Sequence, residues 1–195
     1  MPARSLRDNA FLIAAVSLPV AIVGMFLLVT AIPRWTVSPP QYDLLLRTTE
    51  YSSANVPVSV ELVVRDETLQ AMVRVVKDQQ ASRVRLWRFD HGTMSAREVP
   101  LDVPAAVFGS EQVQTIVVEA LRGQRVVTDT KAPDGYQLRT ARDGRPGLIG
   151  DIFGMRRYGQ PPAIVNRGRV IPIEVSTANR YDEPVFLGWI VDKGR

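Results

Sequence analysis

The chain has 195 residues, of which 46% are hydrophobic and 23% are charged, and its formal net charge is +4. This composition is ordinary for a globular protein, and the length suits one domain with a small additional element. The absence of cysteine excludes disulfide bonds, zinc–thiolate sites and thiol chemistry. The basic residues are scattered among 20 acidic ones and form no stripe interleaved with aromatic residues, so we expect no nucleic-acid partner.

The N-terminal region contains a long apolar run. No charged residue lies between Asp8 and Arg34, and residues 11–32 are almost entirely apolar. As a helix rising ~1.5 Å per residue, these residues would span about 33 Å, slightly more than the hydrocarbon core of a bilayer. The sequence therefore predicts a transmembrane helix over residues 11–32, in contact with lipid, after a short tail of residues 1–10.

This apolar run has two interpretations. The small residues near Ala31 are compatible with a cleaved secretory signal, but the run is longer than the apolar region of such signals. We therefore favour an uncleaved signal-anchor. Arg4 and Arg7 precede the helix, and the positive-inside rule then places the N-terminus in the cytoplasm. In a bacterium, the helix would lie in the inner membrane and the C-terminal part in the periplasm.

Small residues recur along the predicted helix at spacings of four and three. Such residues allow two membrane helices to pack closely, because lipid supplies no hydrophobic drive for their association. The pattern predicts a face that docks on the helix of an integral membrane protein, although small residues are also common in such helices generally. The residues of this partner-helix face are Ala10, Ala14, Ser17, Ala21 and Gly24.

The exported part begins with a stiff linker and continues with strands. Residues 33–41, PRWTVSPPQ, form the proline-rich linker, and residues 42–195 form the domain. Residues 58–65 and 69–75 alternate between apolar and polar side chains around a turn at 66–68, which predicts a hairpin. A second pair, residues 83–90 and 94–103, flanks a turn at 90–93, and its consecutive apolar residues indicate that both faces are partly covered.

The second half of the domain is predicted to contain one helix and further strands. Residues 110–122 show a helical apolar stripe with Ser110 as a cap, so we expect a helix packed on a sheet. Residues 125–129 and 136–140 are expected to pair across the turn Ala-Pro-Asp-Gly. The remaining expected strands are 163–165 and 170–175, on either side of a turn at 166–168, and 185–191. The fold class is therefore mainly β (α+β): an antiparallel sheet or sandwich with one packed helix, plus one N-terminal transmembrane helix.

The segment 141–162 is rich in glycine, apolar residues and arginine. A loop of this length in a compact domain often has a function, so it could contact a partner. It could equally fold its apolar residues onto its own domain. The possible partner-contact residues are Ile152, Phe153, Met155, Arg156, Arg157 and Tyr158.

The candidates for chemistry are weak. His91, the single histidine, lies in a predicted turn, where a solvated residue is more common than a catalytic one. The acid pairs at 66–67 and 182–183 are adjacent in sequence and lie in predicted turns, and residues 128–131 (TDTK) suit a solvated edge better than a hydroxyl–lysine dyad. We predict no catalytic, cofactor-binding or metal-binding residue, no cofactor, and no enzyme activity.

These features favour a single-pass, membrane-anchored accessory or scaffold subunit of an inner-membrane protein complex. The transmembrane helix and the periplasmic β domain would both dock on the membrane partner. The alternative is a membrane-tethered periplasmic module that binds a lipid, a glycan or a peptide. An envelope hydrolase built from acids distant in sequence is a third, weaker hypothesis.

Overall fold

The computed structural model describes residues 10–51, 58–75, 82–104, 112–140, 161–176 and 184–191. These residues form one long helix, eleven strands and a single-turn 3₁₀ helix (Glu119–Leu121). Contacts divide the chain into two compact units, residues 1–38 with 167–169 and residues 39–166 with 170–195. The helix is α1 (Ala10–Thr36), and the strands are β1 (Asp43–Tyr51), β2 (Val58–Arg65), β3 (Thr68–Val75), β4 (Ser82–Asp90), β5 (Ser95–Val99), β6 (Gln114–Val117), β7 (Arg125–Val127), β8 (Gln137–Arg139), β9 (Ala163–Asn166), β10 (Arg169–Pro172) and β11 (Val185–Val191).

Helix α1 is long and apolar enough to cross a membrane. Its segment Ala15–Pro33 has 19 residues and a mean hydropathy of 2.4, and among the described residues none of its most apolar part is buried. Large apolar side chains such as Val16, Phe26 and Leu28 are therefore exposed all round the helix. The helix continues to Thr36, whose hydroxyl donates to the carbonyl of Ile32 at 3.0 Å, and so includes residues assigned from sequence to the linker.

The largest sheet has the strand order β5-β4-β1-β11-β7, and its pairings are antiparallel. Its central strand, β1, was not predicted from sequence. The reason is the run Leu44, Leu45 and Leu46, in which all three consecutive side chains are fully buried. A strand covered on both faces loses the alternation by which strands are recognised.

A second sheet has the order β2-β3-β6 and contains the predicted first hairpin. The pairing of β2 with β3 runs from Val58 opposite Val75 to Arg65 opposite Thr68. The turn consists of Asp66 and Glu67, both with positive φ, as in the two-residue turns that match the twist of a hairpin. The carbonyl of Glu67 accepts a hydrogen bond from the N–H of Val126 in β7 at 2.7 Å.

The first two sheets share one apolar core. Leu45, Leu86 and Ile190 of the large sheet cluster with Leu62 and Leu69 of the second sheet. Side chains on the opposite face of the large sheet are also buried, including Trp87 and Phe89 of β4. The mainly β, antiparallel prediction is therefore confirmed, as are the hairpin β4–β5 and the partial covering of both its faces.

The third sheet has the order β10-β9-β8. The predicted turn lies at Arg167 and Gly168, between β9 and β10, and both residues have positive φ. The last predicted strand is β11. These predicted elements are therefore confirmed. They could be predicted because β-branched runs bounded by turn residues are a strong strand signal.

The prediction of a packed helix over residues 110–122 is wrong for the described residues from 112 onward. They form β6, which pairs with β3, followed by the 3₁₀ turn. Ile116 is half-buried and Val118 is buried, whereas Val113 and Val117 are 50% and 42% exposed. Burial therefore alternates with a period of two residues, as in a strand. The β-branched run also fits a helical stripe, but the edge of β3 supplies hydrogen bonds that favour the strand.

The predicted pairing of residues 125–129 with 136–140 is also wrong. The turn itself forms, since the N–H of Gly135 donates to the carbonyl of Ala132 at 2.8 Å. However, β7 pairs with β11 and β8 pairs with β9, so the two arms join different sheets. A bridge between Lys131 and Gln137 links the arms next to the turn.

Several sequence predictions lie outside the described residues. They concern the tail before Ala10, most of the loop 141–162 with all six of its possible contact residues, and the acid pair at 182–183.

Gly188 of β11 provides a test of the large sheet. A Cβ at this position would lie 2.5 Å from Cγ1 of Val126 and 2.8 Å from the carbonyl oxygen of Val127. We expect Gly188→Ala to destabilise the domain by about 1–3 kcal/mol, because neither neighbour can move without disturbing the β11–β7 pairing. Thermal unfolding of the full chain in mild detergent, followed by the β signal in circular dichroism, measures this change.

The control is Gly24→Ala in α1, where an added Cβ meets no atom within 4 Å. This variant should leave the β-domain transition unchanged. A Gly188→Ala variant that unfolds at the same temperature as wild type would contradict the packing described for β7 and β11.

Candidate functional site

A buried carboxylate lies where the chain enters the β domain. Asp43 is the first residue of β1, and its side chain is 6% exposed. Arg88 near the end of β4 and His91 in the turn after β4 both contact it. We call these three residues the Asp43 cluster. The pairing of β1 with β4 brings them together, because it sets Leu45 of β1 opposite Arg88.

Both oxygens of Asp43 have partners. Oδ2 accepts a hydrogen bond from Nε of Arg88 at 2.6 Å and lies 2.6 Å from Nη2 of the same guanidinium, an ion-pair contact. Oδ1 accepts from the backbone N–H of His91 at 2.9 Å and contacts Nδ1 of its ring at 2.7 Å. A buried charge requires such partners, so the cluster fixes the β4–β5 turn to the start of β1.

The cluster also sets the orientation of the imidazole of His91. An ionised carboxylate can only accept, so Nδ1 carries a proton and donates to Asp43. The side chain is 47% exposed, and Nε2 has no hydrogen-bond partner within the part of the chain that the structure describes. His91 is therefore an oriented surface histidine rather than a freely rotating one.

Asp90 makes the β4–β5 turn rigid. Its Oδ1 accepts the backbone N–H groups of Gly92 and Thr93, each at 2.8 Å. The hydroxyls of Thr93 and Ser95 lie 2.8 Å apart. The hydrogen bond from the backbone of Thr93, followed by the one from Gly92, lowers the pKa of Asp90 below its usual value.

The geometry does not assemble a nucleophilic triad among the described residues. A histidine held by a carboxylate supplies two parts of one, but a hydroxyl within hydrogen-bonding distance of Nε2 would be the third. The described residues contain no group of three or more histidine and acidic side chains placed to hold a metal ion.

A second charged cluster lies on the opposite face of the large sheet. Nε of Arg85 donates to Oε1 of Glu98 at 2.9 Å, and the guanidinium lies over the ring of Trp87, 5.0 Å from its centroid. The hydrogen bond from Arg85 lowers the pKa of Glu98 below its usual value. The indole N–H of Trp87 donates to the hydroxyl of Thr48 at 2.9 Å. These groups satisfy one another, which indicates a structural role.

The other sequence candidates are separated from both clusters. Glu67, in the first hairpin turn, pairs with Arg125 of β7. The side chains of residues 128–131 are exposed. The residues of the partner-helix face all lie within α1, and an added Cβ at Gly24 would meet no atom within 4 Å. Sequence reasoning missed Asp43, whose signal was an acidic residue directly before a buried apolar run.

The β domain also contains a small open groove of about 50 Å³. It lies beside β6 and is mostly apolar. Small-molecule pockets usually enclose roughly 300–1,000 Å³, so this groove is far smaller. Its lining is Val60, Ala71, Pro100, Leu101, Asp102, Val103, Ile116, Val117, Val118, Glu119 and Ala120.

Removal of the buried carboxylate should destabilise the domain. We expect Asp43→Ala to lower the free energy of unfolding by about 2–3 kcal/mol, because the guanidinium and two N–H groups lose a charged acceptor. The matched control is Glu119→Ala, which removes an exposed carboxylate from its pair with Arg122 and should change stability by less than about 1 kcal/mol. Thermal unfolding of both variants measures the difference, and equal stabilities would contradict the structural role of Asp43.

The lowered pKa of Asp90 predicts a dependence on pH. A carboxyl whose pKa is lower in the folded state stabilises the fold above its unfolded pKa, and this stabilisation is lost as the pH falls through the folded pKa. We expect Asp90→Asn to lower the Tm at neutral pH and the difference from wild type to shrink below about pH 4. Asp102→Asn, which removes an exposed carboxylate without a hydrogen bond among the described residues, is the control. A Tm difference for Asp90→Asn that stays constant with pH would contradict the role of Asp90.

Comparison of the chain with protein-family models, with curated proteins and with solved structures finds no match. A functional interpretation therefore depends on the residues and the geometry described above.

Proposed function

We propose that this chain is a non-catalytic, single-pass membrane subunit that acts as an accessory or scaffold protein in an inner-membrane complex. Helix α1 lies in the bilayer, and the β domain lies in the periplasm. Both parts dock on an integral membrane protein. The observation that carries the proposal is the exposure of α1, whose apolar side chains are not covered by the part of the chain that the structure describes.

The length of the apolar segment supports a membrane span. Nineteen residues rising ~1.5 Å each give about 28 Å, close to the hydrocarbon thickness of a bilayer. Its large side chains are more than half exposed along most of the segment. Exposed apolar area is unfavourable by about 25 cal/mol per Å² in water, so lipid or another apolar helix must cover it.

The two ends of the helix support the orientation. Arg4 and Arg7 precede it and favour a cytoplasmic N-terminus. Trp35 follows the span and is 79% exposed, as suits an indole at the lipid–water interface. The β domain then lies on the periplasmic side.

The connection after α1 supports a role close to the membrane. Residues 37–42 separate α1 from β1, and the N–H of Gln41 donates to Oδ2 of Asp134 at 2.8 Å. Even fully extended, six residues reach only about 20 Å. A partner that this domain contacts would therefore present its own surface near the bilayer.

The alternative is a membrane-tethered module that binds a lipid, a glycan or a peptide. The groove beside β6 favours it, since its lining is mostly apolar. Its volume would hold only a small part of such a ligand. The scaffold proposal therefore comes first.

Copurification tests the proposal. A tagged full chain, expressed at its native level and extracted in gentle detergent, should recover a stoichiometric integral membrane protein. Ala14→Leu, Ser17→Leu and Ala21→Leu should each lower that recovery roughly fivefold or more, because a bulky side chain separates the helices. Ala15→Leu is the matched control, since it adds the same volume outside the partner-helix face.

Two results would contradict the proposal. One is wild-type material that runs alone while the domain retains a bound small molecule, which would favour the alternative. The other is a reporter fused after Arg195 that is active in the cytoplasm, since it would reverse the orientation.

A further inference from the structure

Two arginines on neighbouring strands of the large sheet lie directly opposite each other, at a place that we call the rim. Arg88 of β4 pairs with Arg97 of β5 in the antiparallel ladder, so their side chains lie on the same face. The preceding pair on that face is Leu86 with Val99, both buried in the core. The arginine pair thus marks the point at which the apolar core ends and solvent begins.

Directly opposed like charges are unfavourable unless a negative group lies beside them. Asp43 supplies one, but of the two arginines it contacts only Arg88, through Nε and Nη2. Arg97 is exposed and has no acidic partner among the residues that the structure describes. Nη1 of Arg88 likewise has no hydrogen-bond partner among the described residues.

His91 adds a third nitrogen-bearing side chain to this rim. It shares the carboxylate of Asp43 with Arg88, so its ring lies next to that guanidinium. Its exposed Nε2 can donate to an oxyanion when the ring is protonated, and it can accept from an acidic P–OH group when the ring is neutral. Asp43 fixes the positions of both side chains.

From this arrangement we infer a binding site for a phosphate oxyanion, formed by Arg88, Arg97 and His91. A guanidinium fork matches two phosphate oxygens, and two opposed guanidiniums with an adjacent imidazole suit a tetrahedral anion better than a planar carboxylate. Two carboxylates face this site. Asp43 accepts three hydrogen bonds and forms an ion pair with Arg88, and Asp90 has one oxygen held by the turn amides. They limit the affinity and favour an anion with more than one negative charge.

The phosphate could belong to a free ion or to the headgroup of an anionic phospholipid. The site itself does not depend on the proposed function, whereas the headgroup source requires a domain near a bilayer. The test therefore includes a probe for each source.

The single histidine makes the test direct. The full chain, labelled with ¹³C and ¹⁵N in histidine alone and kept in neutral detergent, gives one imidazole signal set, that of His91. Inorganic phosphate, added at fixed pH and fixed ionic strength against chloride, should shift this signal saturably. Arg97→Ala should raise the apparent Kd roughly fivefold or more, because one charged fork is lost.

Arg74→Ala is the matched control. Arg74 is an exposed arginine of β3 with no partner among the described residues, so its removal changes the net charge equally without touching the rim. It should leave the Kd unchanged. Because Arg97 is exposed and its charge opposes that of Arg88, Arg97→Ala should not lower the temperature of the thermal transition.

Micelles containing an anionic phosphatidylglycerol form the second arm. A saturable His91 shift that competes with phosphate would assign the site to a lipid headgroup, and a response to phosphate alone would assign it to the free ion. The inference is overturned if phosphate causes no saturable shift beyond that of chloride. It is also overturned if Arg74→Ala weakens binding as much as Arg97→Ala does. None of these outcomes depends on copurification of a membrane partner, so the scaffold proposal is tested separately.

Discussion

The burial of β1 on both faces is the constraint on which the β domain depends. Leu45 faces the core shared with the second sheet, while Leu44 and Leu46 face the other side, and all three are excluded from solvent. A strand in this position can carry a charge only where the core ends. Asp43 lies at that end, and its carboxylate is saturated by Arg88 and His91. The central strand therefore determines both the packing of the sheets and the location of the most organised polar cluster among the described residues.

Much of the architecture could be predicted from local patterns. Hairpins such as β2–β3 combine alternation with a turn, and both signals are local in sequence. The failures have a common cause. Residues 110–122 satisfy a helical and a strand period at once, and the free edge of β3, which no local pattern reveals, decides between them. Likewise, the arms beside the Ala132–Gly135 turn pair with β11 and β9, which lie far away in sequence. Pairing between segments distant in sequence thus determined the structure where local propensity allowed more than one.

The candidate site shows the same limit more strongly. His91 was visible in the sequence as the single histidine, but its partner lies 48 positions earlier. Nothing in the spacing of Asp43, Arg88 and Arg97 indicates that they lie on neighbouring strands. They do so because β1 pairs with β4 and β4 pairs with β5. The helix α1 is the opposite case. Its apolar character is a property of one continuous segment, so sequence alone was sufficient to predict it.

The contact between the first hairpin turn and β7 has a consequence for self-association. β7 is an edge strand of the large sheet, and edge strands expose amides that can recruit a strand from another molecule. Here the outward N–H of Val126 is already occupied by the carbonyl of Glu67. The adjacent Arg125 pairs with the carboxylate of Glu67, which places opposite charges along the same edge. The turn therefore acts as a cap that hinders the pairing of this edge with a strand of another copy.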